Sequence, residues 1–184
     1  MNIKTNKELN AFRGFTLIEL LAVIVVLAII ILIAVNAVLP QMENARRSSF
    51  AIEANSAIDA AQAYFMNADL IGGEGNQGLP STSGGDACVS IDDLISGGYS
   101  DLDPKKYDGY VYVIKGIKGT DNENRYFYKI WISKEQKMMV NGEGYSGTGA
   151  AQENVDITLE HVEDYNEGTW TKATDNTLPA KCTS

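Results

Sequence analysis

The sequence of 184 residues predicts an α+β fold in which a long N-terminal helix packs on an antiparallel sheet of three to four strands. Two observations carry this prediction. An apolar run over 15–39 leads into a segment with helical periodicity that ends near residue 70. Segments rich in aromatic and branched residues, separated by short turns, follow between about 109 and 140.

The apolar run has the composition of a membrane-spanning helix, so the first half of the long helix is expected to be membrane-embedded. Eighteen of the twenty-five residues from Phe15 to Leu39 are Leu, Ile, Val or Phe, and the strongly polar ones are Glu19 and Asn36. A carboxylate in such a segment costs roughly 3 kcal/mol on insertion scales, and less near the interface. Anchoring does not explain Glu19, so we expect this residue to have a functional partner.

The charge distribution indicates the orientation of the chain. The first fourteen residues carry a net charge of +2, from Lys4, Lys7 and Arg13 against Glu8. The whole chain carries −9, so the part after Gly14 carries −11. Basic residues before the span place the N-terminus in the cytoplasm and the bulk outside. The acidic part offers no basic stripe for phosphates, which argues against nucleic acid as a main partner.

The start of the apolar run differs from a secretory signal peptide. The small residue Gly14 precedes the run, and no A-x-A-like site follows it before the polar segment near Gln41. The string Gly14-Phe15-Thr16-Leu17-Ile18-Glu19 instead resembles the class III signal of type IV pilins and pseudopilins, with glycine before the cut, phenylalanine after it and glutamate four residues further on. The detailed resemblance covers roughly residues 13–65.

The resemblance implies a processing and assembly route. A prepilin peptidase would remove residues 1–14 by cutting after Gly14, and would methylate the new amine of Phe15. An inner-membrane assembly platform with a motor ATPase would then move the helix, over 15–40, from membrane lipid into a helical filament of identical subunits. Glu19 would face the Phe15 ammonium of a neighbouring subunit. Because an unpaired carboxylate in a dry core is costly, this pair would fix the register of docking.

Residues 41–70 are predicted to continue the helix as its amphipathic second half. One face carries apolar residues three or four positions apart, namely Ala51, Ala54, Ile58, Ala61 and Phe65. We expect this face to pack on the sheet. The polar residues predicted to lie away from it are Glu53, Asn55, Asp59 and Gln62.

Two features near the start of this half depart from a plain helix. Pro40 lacks an N–H and predicts a helix kink. Members of the similar family carry a proline about one turn earlier, where this chain has Asn36. Arg46 and Arg47 are interpreted as a solvated or headgroup-facing patch, with an ion pair to a neighbouring subunit as the alternative.

Residues 71–184 are predicted to form an extracellular globular head. It starts with a loop rich in glycine and serine over 71–87, followed by a short helix over 90–96 between Ser90 as cap and Gly97 as end. An antiparallel meander follows, with strands over 109–116, 125–133 and 137–140. Residues 154–162 are predicted to form an edge strand, with a helix start as the alternative, before an irregular tail to residue 184.

The two cysteines, Cys88 and Cys182, predict a disulfide in an exported domain, with two free thiols as the alternative. The disulfide would tether the tail. We expect no metal site, because metal sites need clustered ligands and His161 is the one histidine of the chain. The acidic run 121–124 lacks the spacing of an EF-hand loop, so turn formation is the expected role of its residues.

The sequence shows no pair of nucleophile and base, so we expect neither an enzyme nor a bound cofactor. The expected function is the structural subunit of a type IV pilus for adhesion, motility or related tasks, located first in the inner membrane and then on the cell surface. The alternative within the similar family is a pseudopilin of a type II secretion or DNA-uptake machine. The alternative from another class is a membrane-anchored extracellular binding protein.

Overall fold

The computed structural model describes residues 15–71, 78–147, 151–165 and 182. The predicted leader 1–14, part of the predicted loop and most of the tail lie outside these residues. The chain divides into two compact units, Met1–Glu43 and Asn44–Ser184, which are described separately below. Helix α1, Leu17–Ile71, begins in the first unit and ends in the second.

In the first unit, α1 is an uninterrupted apolar helix. No glycine or proline lies between Leu17 and Leu39, so nothing in the sequence breaks the backbone hydrogen bonding there. The helix also continues through Pro40. Since proline has no N–H, the carbonyl of Asn36 lacks its usual donor one turn earlier. The helix therefore does not end at Pro40, and a kink at this residue stays a prediction.

In the second unit, the C-terminal half of α1 supplies one side of the hydrophobic core. All five residues of the predicted apolar face are buried, and the same face also includes Phe50, Ala57, Ala60 and Ala68. They form one cluster with side chains from the sheet, among them Val111, Val113, Ile130, Ile132 and Val140. The alanines add little bulk between helix and sheet, so the two elements approach closely. The predicted α+β class and the helix-on-sheet packing are confirmed.

Within the described residues, the sheet has five antiparallel strands rather than the three to four predicted. The elements after α1 are β1 Asp86–Ser90, α2 Ile91–Ser96, β2 Tyr107–Lys115, β3 Tyr126–Lys134, β4 Met138–Glu143, β5 Tyr145–Ser146, β6 Glu153–Asn154 and β7 Glu163–Asp164. The strand order in the sheet is β1-β2-β3-β4-β7, and a separate two-stranded ribbon pairs β5 with β6. The central strands β2, β3 and β4 form the predicted meander.

The first additional strand, β1, lies partly in the segment predicted as a loop over 71–87. It pairs with β2 from Asp86↔Ile114 to Ser90↔Tyr110. Gly85 and Lys115 extend the pairing, because the Lys115 N–H donates to the Gly85 carbonyl at 2.9 Å. The sequence did not predict this strand because most of its residues are small or polar. Its apolar contribution to the core comes from Ala87 and Val89.

The predicted edge strand over 154–162 is wrong. The structure has β6 at Glu153–Asn154, a 3-10 helix at Leu159–His161 and then β7. The backbone of Ile157, in the middle of this segment, bonds to the side chain of Asn55 on α1 instead of to another strand. The apolar alternation of the segment therefore reflects its packing on α1, with Ile157 and Val162 buried.

Candidate functional site

The start of α1 forms a capping box that the sequence analysis did not identify. Thr16 directly precedes the first helical residue, and Glu19 is the third residue of the helix. The Thr16 N–H and Oγ donate to Glu19 Oε2 at 2.9 and 2.8 Å, while the Glu19 N–H donates to Thr16 Oγ at 3.3 Å. A threonine followed three residues later by glutamate, just before an apolar run, is the sequence signature of this motif.

The capping box leaves half of the Glu19 carboxylate available. Both Thr16 groups bind the same oxygen, Oε2, and within the described residues Oε1 receives no hydrogen bond. A carboxylate has about four lone-pair positions, so it can accept a cationic donor while it caps the helix. Phe15, 87 % exposed, lies beside this site, whereas Gly14 lies outside the described residues.

The first half of α1 exposes an apolar surface along its whole length. The large apolar side chains between Leu17 and Leu39 keep 46 to 85 % of their surface exposed. Asn36 does not disturb this surface, because its Nδ2 donates to the Leu32 carbonyl one turn earlier at 3.3 Å. Within the described residues, α1 is long and apolar enough to cross a membrane. Such a surface needs lipid or other apolar helices around it.

The second half of α1 also has an exposed face, opposite the buried one. Its residues repeat at intervals of three or four, and they are Ile52, Ser56, Asp59, Ala63, Met66 and Leu70. Asp59 is the one ionisable side chain among these six. Ile52, Met66 and Leu70 are 67, 56 and 85 % exposed. This outer face is weakly charged although the head around it is strongly acidic.

The arginines after the apolar segment have different surroundings. The Arg47 guanidinium donates to the Val162 carbonyl at 3.0 Å and forms an ion pair with Asp164 at 2.5 Å. The interpretation of Arg47 as part of a solvated patch is therefore wrong, because its side chain holds the segment before β7 against α1. Arg46 is exposed, and its contact with lipid or with a neighbouring subunit stays a prediction.

The predicted disulfide joins Cys88 in β1 to Cys182, with the two Cα atoms 5.5 Å apart. The alternative of two free thiols is therefore wrong, and the described residues include no free cysteine. The disulfide joins Cys182 to β1, and its effect on the rest of the tail stays a prediction because residues 166–181 lie outside the described residues.

The remaining polar candidates take part in turns and caps. The buried Asn122 side chain donates to the Gln152 carbonyl at 3.0 Å, and Glu123 accepts from the Gly119 N–H at 3.0 Å. His161 Nδ1 accepts from the Thr158 N–H at 3.0 Å. Within the part of the chain that the structure describes, no three His, Cys, Asp or Glu residues cluster as metal ligands do.

The comparison with protein families identifies the N-terminal site. Residues 9–35 match the family described as the prokaryotic N-terminal methylation motif. The chain carries a class III signal. The N-terminal methylation motif includes Gly14, Phe15 and Glu19, and together with the long apolar helix it agrees with the type IV pilin resemblance. Searches of curated proteins and of solved structures each found no match.

Proposed function

We propose that the chain is a prepilin, that is, a structural subunit and not an enzyme, which is cut after Gly14, methylated at Phe15 and polymerised through α1. The observation that carries the proposal is Glu19 at the capped start of an exposed apolar helix within the methylation motif. A bilayer accommodates the apolar side chains of this helix. The hydrocarbon of the bilayer supplies no partner for Glu19 Oε1, whereas the Phe15 ammonium of a second subunit would supply one.

Glu19 has two separate functions in this proposal, namely capping α1 and carrying a negative charge. Capping requires an acceptor at this position, and glutamine meets that requirement as well as glutamate does. Only the carboxylate attracts an ammonium group in a water-excluded core. Because the charge is costly to desolvate, a subunit docked out of register would be disfavoured by several kcal/mol. The negative charge, rather than the cap, is therefore the group that selects the docked position.

The outer face of the second half of α1 supports the same proposal. Apart from Asp59, its exposed residues are apolar, such as Ile52 and Met66, or small, such as Ser56 and Ala63. Small side chains allow helices to approach closely. In the assembled state this face would pack on a neighbouring subunit, and before assembly the head would lie outside the inner membrane with the first half of α1 in lipid.

The test separates the charge of Glu19 from its capping role. Glu19→Gln keeps the cap, and Glu19→Val removes both cap and charge. We expect both variants to reach the membrane, with N-methylphenylalanine at Phe15 measured by mass spectrometry of the membrane fraction in at least the glutamine variant. We expect filament yield to be lost in both. Normal filament yield from Glu19→Gln would exclude the ammonium pair, and an intact Met1 in the wild-type membrane form would exclude the prepilin.

Immunogold labelling of whole cells distinguishes the classes of filament. Label along entire surface fibres identifies a major pilus subunit, and label confined to tips or rare positions identifies a minor one. Processed protein without surface fibres favours a pseudopilin of a secretion or DNA-uptake machine. Prepilin peptidase, the assembly platform and its motor ATPase are the partners that each of these outcomes requires.

A further inference from the structure

A groove on the head, remote from the methylation motif in sequence, lies between α1 and α2 together with the turn that follows α2. It is open to solvent, has a volume of about 370 Å³, and is lined by Tyr64, Asp93, Ser96, Gly97 and Tyr99. None of its five lining residues belongs to the methylation motif, and Tyr64 and Tyr99 pack against the core with one side and stay partly exposed on the other.

The two tyrosines of the groove are held at right angles without any ligand. Their ring centroids lie 5.4 Å apart and the ring planes make an angle of 82°. Phe65 supports Tyr64 from within the core, with centroids 5.5 Å apart. Asn67 donates to the Tyr99 hydroxyl, and the Tyr99 N–H donates to the Leu94 carbonyl at 2.9 Å. The aromatic wall is therefore preorganised, which lowers the entropic cost of binding.

Gly97 gives the Tyr99 ring the space for this position. A Cβ atom on Gly97 would lie 3.0 and 3.1 Å from two carbons of the Tyr99 ring, closer than ordinary contacts. A side chain at this position would require the Tyr99 ring to shift by a few tenths of an ångström. The absence of a side chain at Gly97 thus has a direct effect on the shape of the groove.

The electrostatic potential of the groove is negative. Asp93 Oδ2 accepts a hydrogen bond from Ser90 Oγ at 2.7 Å, which fixes the carboxylate at the edge of the groove. Burial and then the charge of Asp93 raise the pKa of Tyr64, so this charge acts at the Tyr64 hydroxyl. The five lining residues include no cation. Tyrosine rings also present negative potential on their faces.

We propose that this groove binds an alkylammonium group, the chemistry of a lysine side chain, with its stem against the Tyr64 and Tyr99 rings and its charge near Asp93. Cations bind to aromatic faces by attraction to the ring quadrupole, and a carboxylate beside two rings adds an ion pair. Anions are repelled by Asp93 and by the −11 charge of the chain after Gly14. A neutral ligand forms no ion pair with the carboxylate and gains at most a hydrogen bond to it. The site is expected to bind in the unpolymerised chain, so it does not depend on the proposed filament.

The test uses the full-length chain in detergent with ¹³C-labelled tyrosine. n-Butylammonium chloride is titrated against sodium chloride at equal ionic strength, and n-butanol serves as the neutral isostere. We expect the Tyr64 and Tyr99 resonances to shift and saturate with the ammonium salt, while the Tyr128 resonances stay in place. n-Butanol should give no saturable shift. Equal shifts with n-butanol, or no shift with the ammonium salt, would overturn the proposal.

Two aspartates of α2 provide a matched pair of variants. Asp93→Asn should weaken n-butylammonium binding about threefold or more, since it removes one exposed ion pair. Asp92→Asn makes the same charge change on the neighbouring residue, which lines a different groove, and should leave binding unchanged. Tyr99→Leu should abolish the saturable shift of Tyr64. Equal weakening by both asparagine variants would assign the effect to overall charge and would refute the site.

Discussion

Asn55 and Ile157 exchange two hydrogen bonds although 102 residues separate them in the chain. Asn55 Nδ2 donates to the Ile157 carbonyl and the Ile157 N–H donates to Asn55 Oδ1, both at 2.8 Å. One amide side chain thus satisfies both backbone groups of a residue that lies outside the sheet. Since Ile157 is 3 % exposed, these groups have little access to water.

Replacement of Asn55 by alanine should destabilise the head by about 2–4 kcal/mol, because two backbone groups lose their partners in a poorly hydrated position. Asn55→Asp keeps the acceptor and loses the donor, so we expect an intermediate loss. Urea unfolding of the detergent-solubilised chain, followed by tryptophan fluorescence, measures the free energy of unfolding. The exposed neighbour Ser56→Ala is the control, and an equal loss in Ser56→Ala would show that Asn55 has no special role.

The turn between β3 and β4 carries strain that one substitution can relieve. Glu135 and Gln136 both have φ of 51°, the left-handed region that favours glycine. Gln136→Gly removes the steric cost of positive φ at one position. Glycine also increases the entropy of the unfolded chain, which cancels part of this gain. The free energy of unfolding should therefore rise by about 0.5–1 kcal/mol. Glu135 keeps its ion pair with Lys137 at 2.8 Å in this variant.

The control for the turn is Gln136→Ala, which removes the long side chain and retains Cβ. It should give no stabilisation, because Cβ causes the steric cost at positive φ. Thermal unfolding of both variants beside the wild type provides the comparison. A gain in Gln136→Ala equal to that in Gln136→Gly would mean that the glutamine side chain, and not the backbone, was strained.

The sequence predicted the elements in which periodicity and burial coincide. The apolar face of α1 from Ala51 to Phe65 and the central strands around Val111 and Ile130 were recognisable, because one face of each packs in the core. The disulfide was predictable from the presence of two cysteines in an exported chain. These features depend on residue type and on spacing along the chain, both of which a single sequence contains.

Features that depend on a polar side chain with a distant partner were not predictable. Asn55 and Glu53 were predicted only to lie away from the apolar face. In the structure Asn55 binds Ile157, and Glu53 binds Lys134 at 2.7 Å. Nothing in local spacing identifies a partner about a hundred or eighty residues away. Strand β1 was missed for a related reason. Its small and polar residues have low β-propensity, and the strand is stabilised by its hydrogen bonds to β2, which local sequence does not reveal.

Alkaline pH should destabilise the head through its buried tyrosines. Burial raises the pKa of Tyr128 to about 12, with a smaller contribution from Tyr126, whereas an unfolded chain ionises near pH 10. Between about pH 10 and 12 the folded state therefore holds a proton that the unfolded state releases, so stability falls as the pH rises. Below about pH 10 this group has no effect, because tyrosine is protonated in both states.

Tyr128→Phe should reduce this alkaline loss without abolishing it. Burial also raises the pKa values of Tyr107 and Tyr145, so part of the loss persists. Urea midpoints measured across the alkaline range for wild type, Tyr128→Phe and the half-buried Tyr110→Phe give the comparison. We expect the urea midpoint of Tyr110→Phe to fall at alkaline pH by as much as that of the wild type. The same loss in Tyr128→Phe would contradict the assignment to Tyr128.

The Thr16 hydroxyl should affect assembly through Glu19. Thr16→Val has the same shape but no hydroxyl, so the Thr16 N–H remains as the one group that orients the carboxylate. Loss of such a cap costs about 1 kcal/mol at a helix start, and a Glu19 side chain free to rotate meets an ammonium of another subunit less often. We expect Thr16→Val to be processed, with a filament yield between those of wild type and Glu19→Gln.

Thr16→Ser is the control, because it retains the hydroxyl and should assemble normally. Full assembly of the valine variant would show that the backbone N–H suffices to position Glu19.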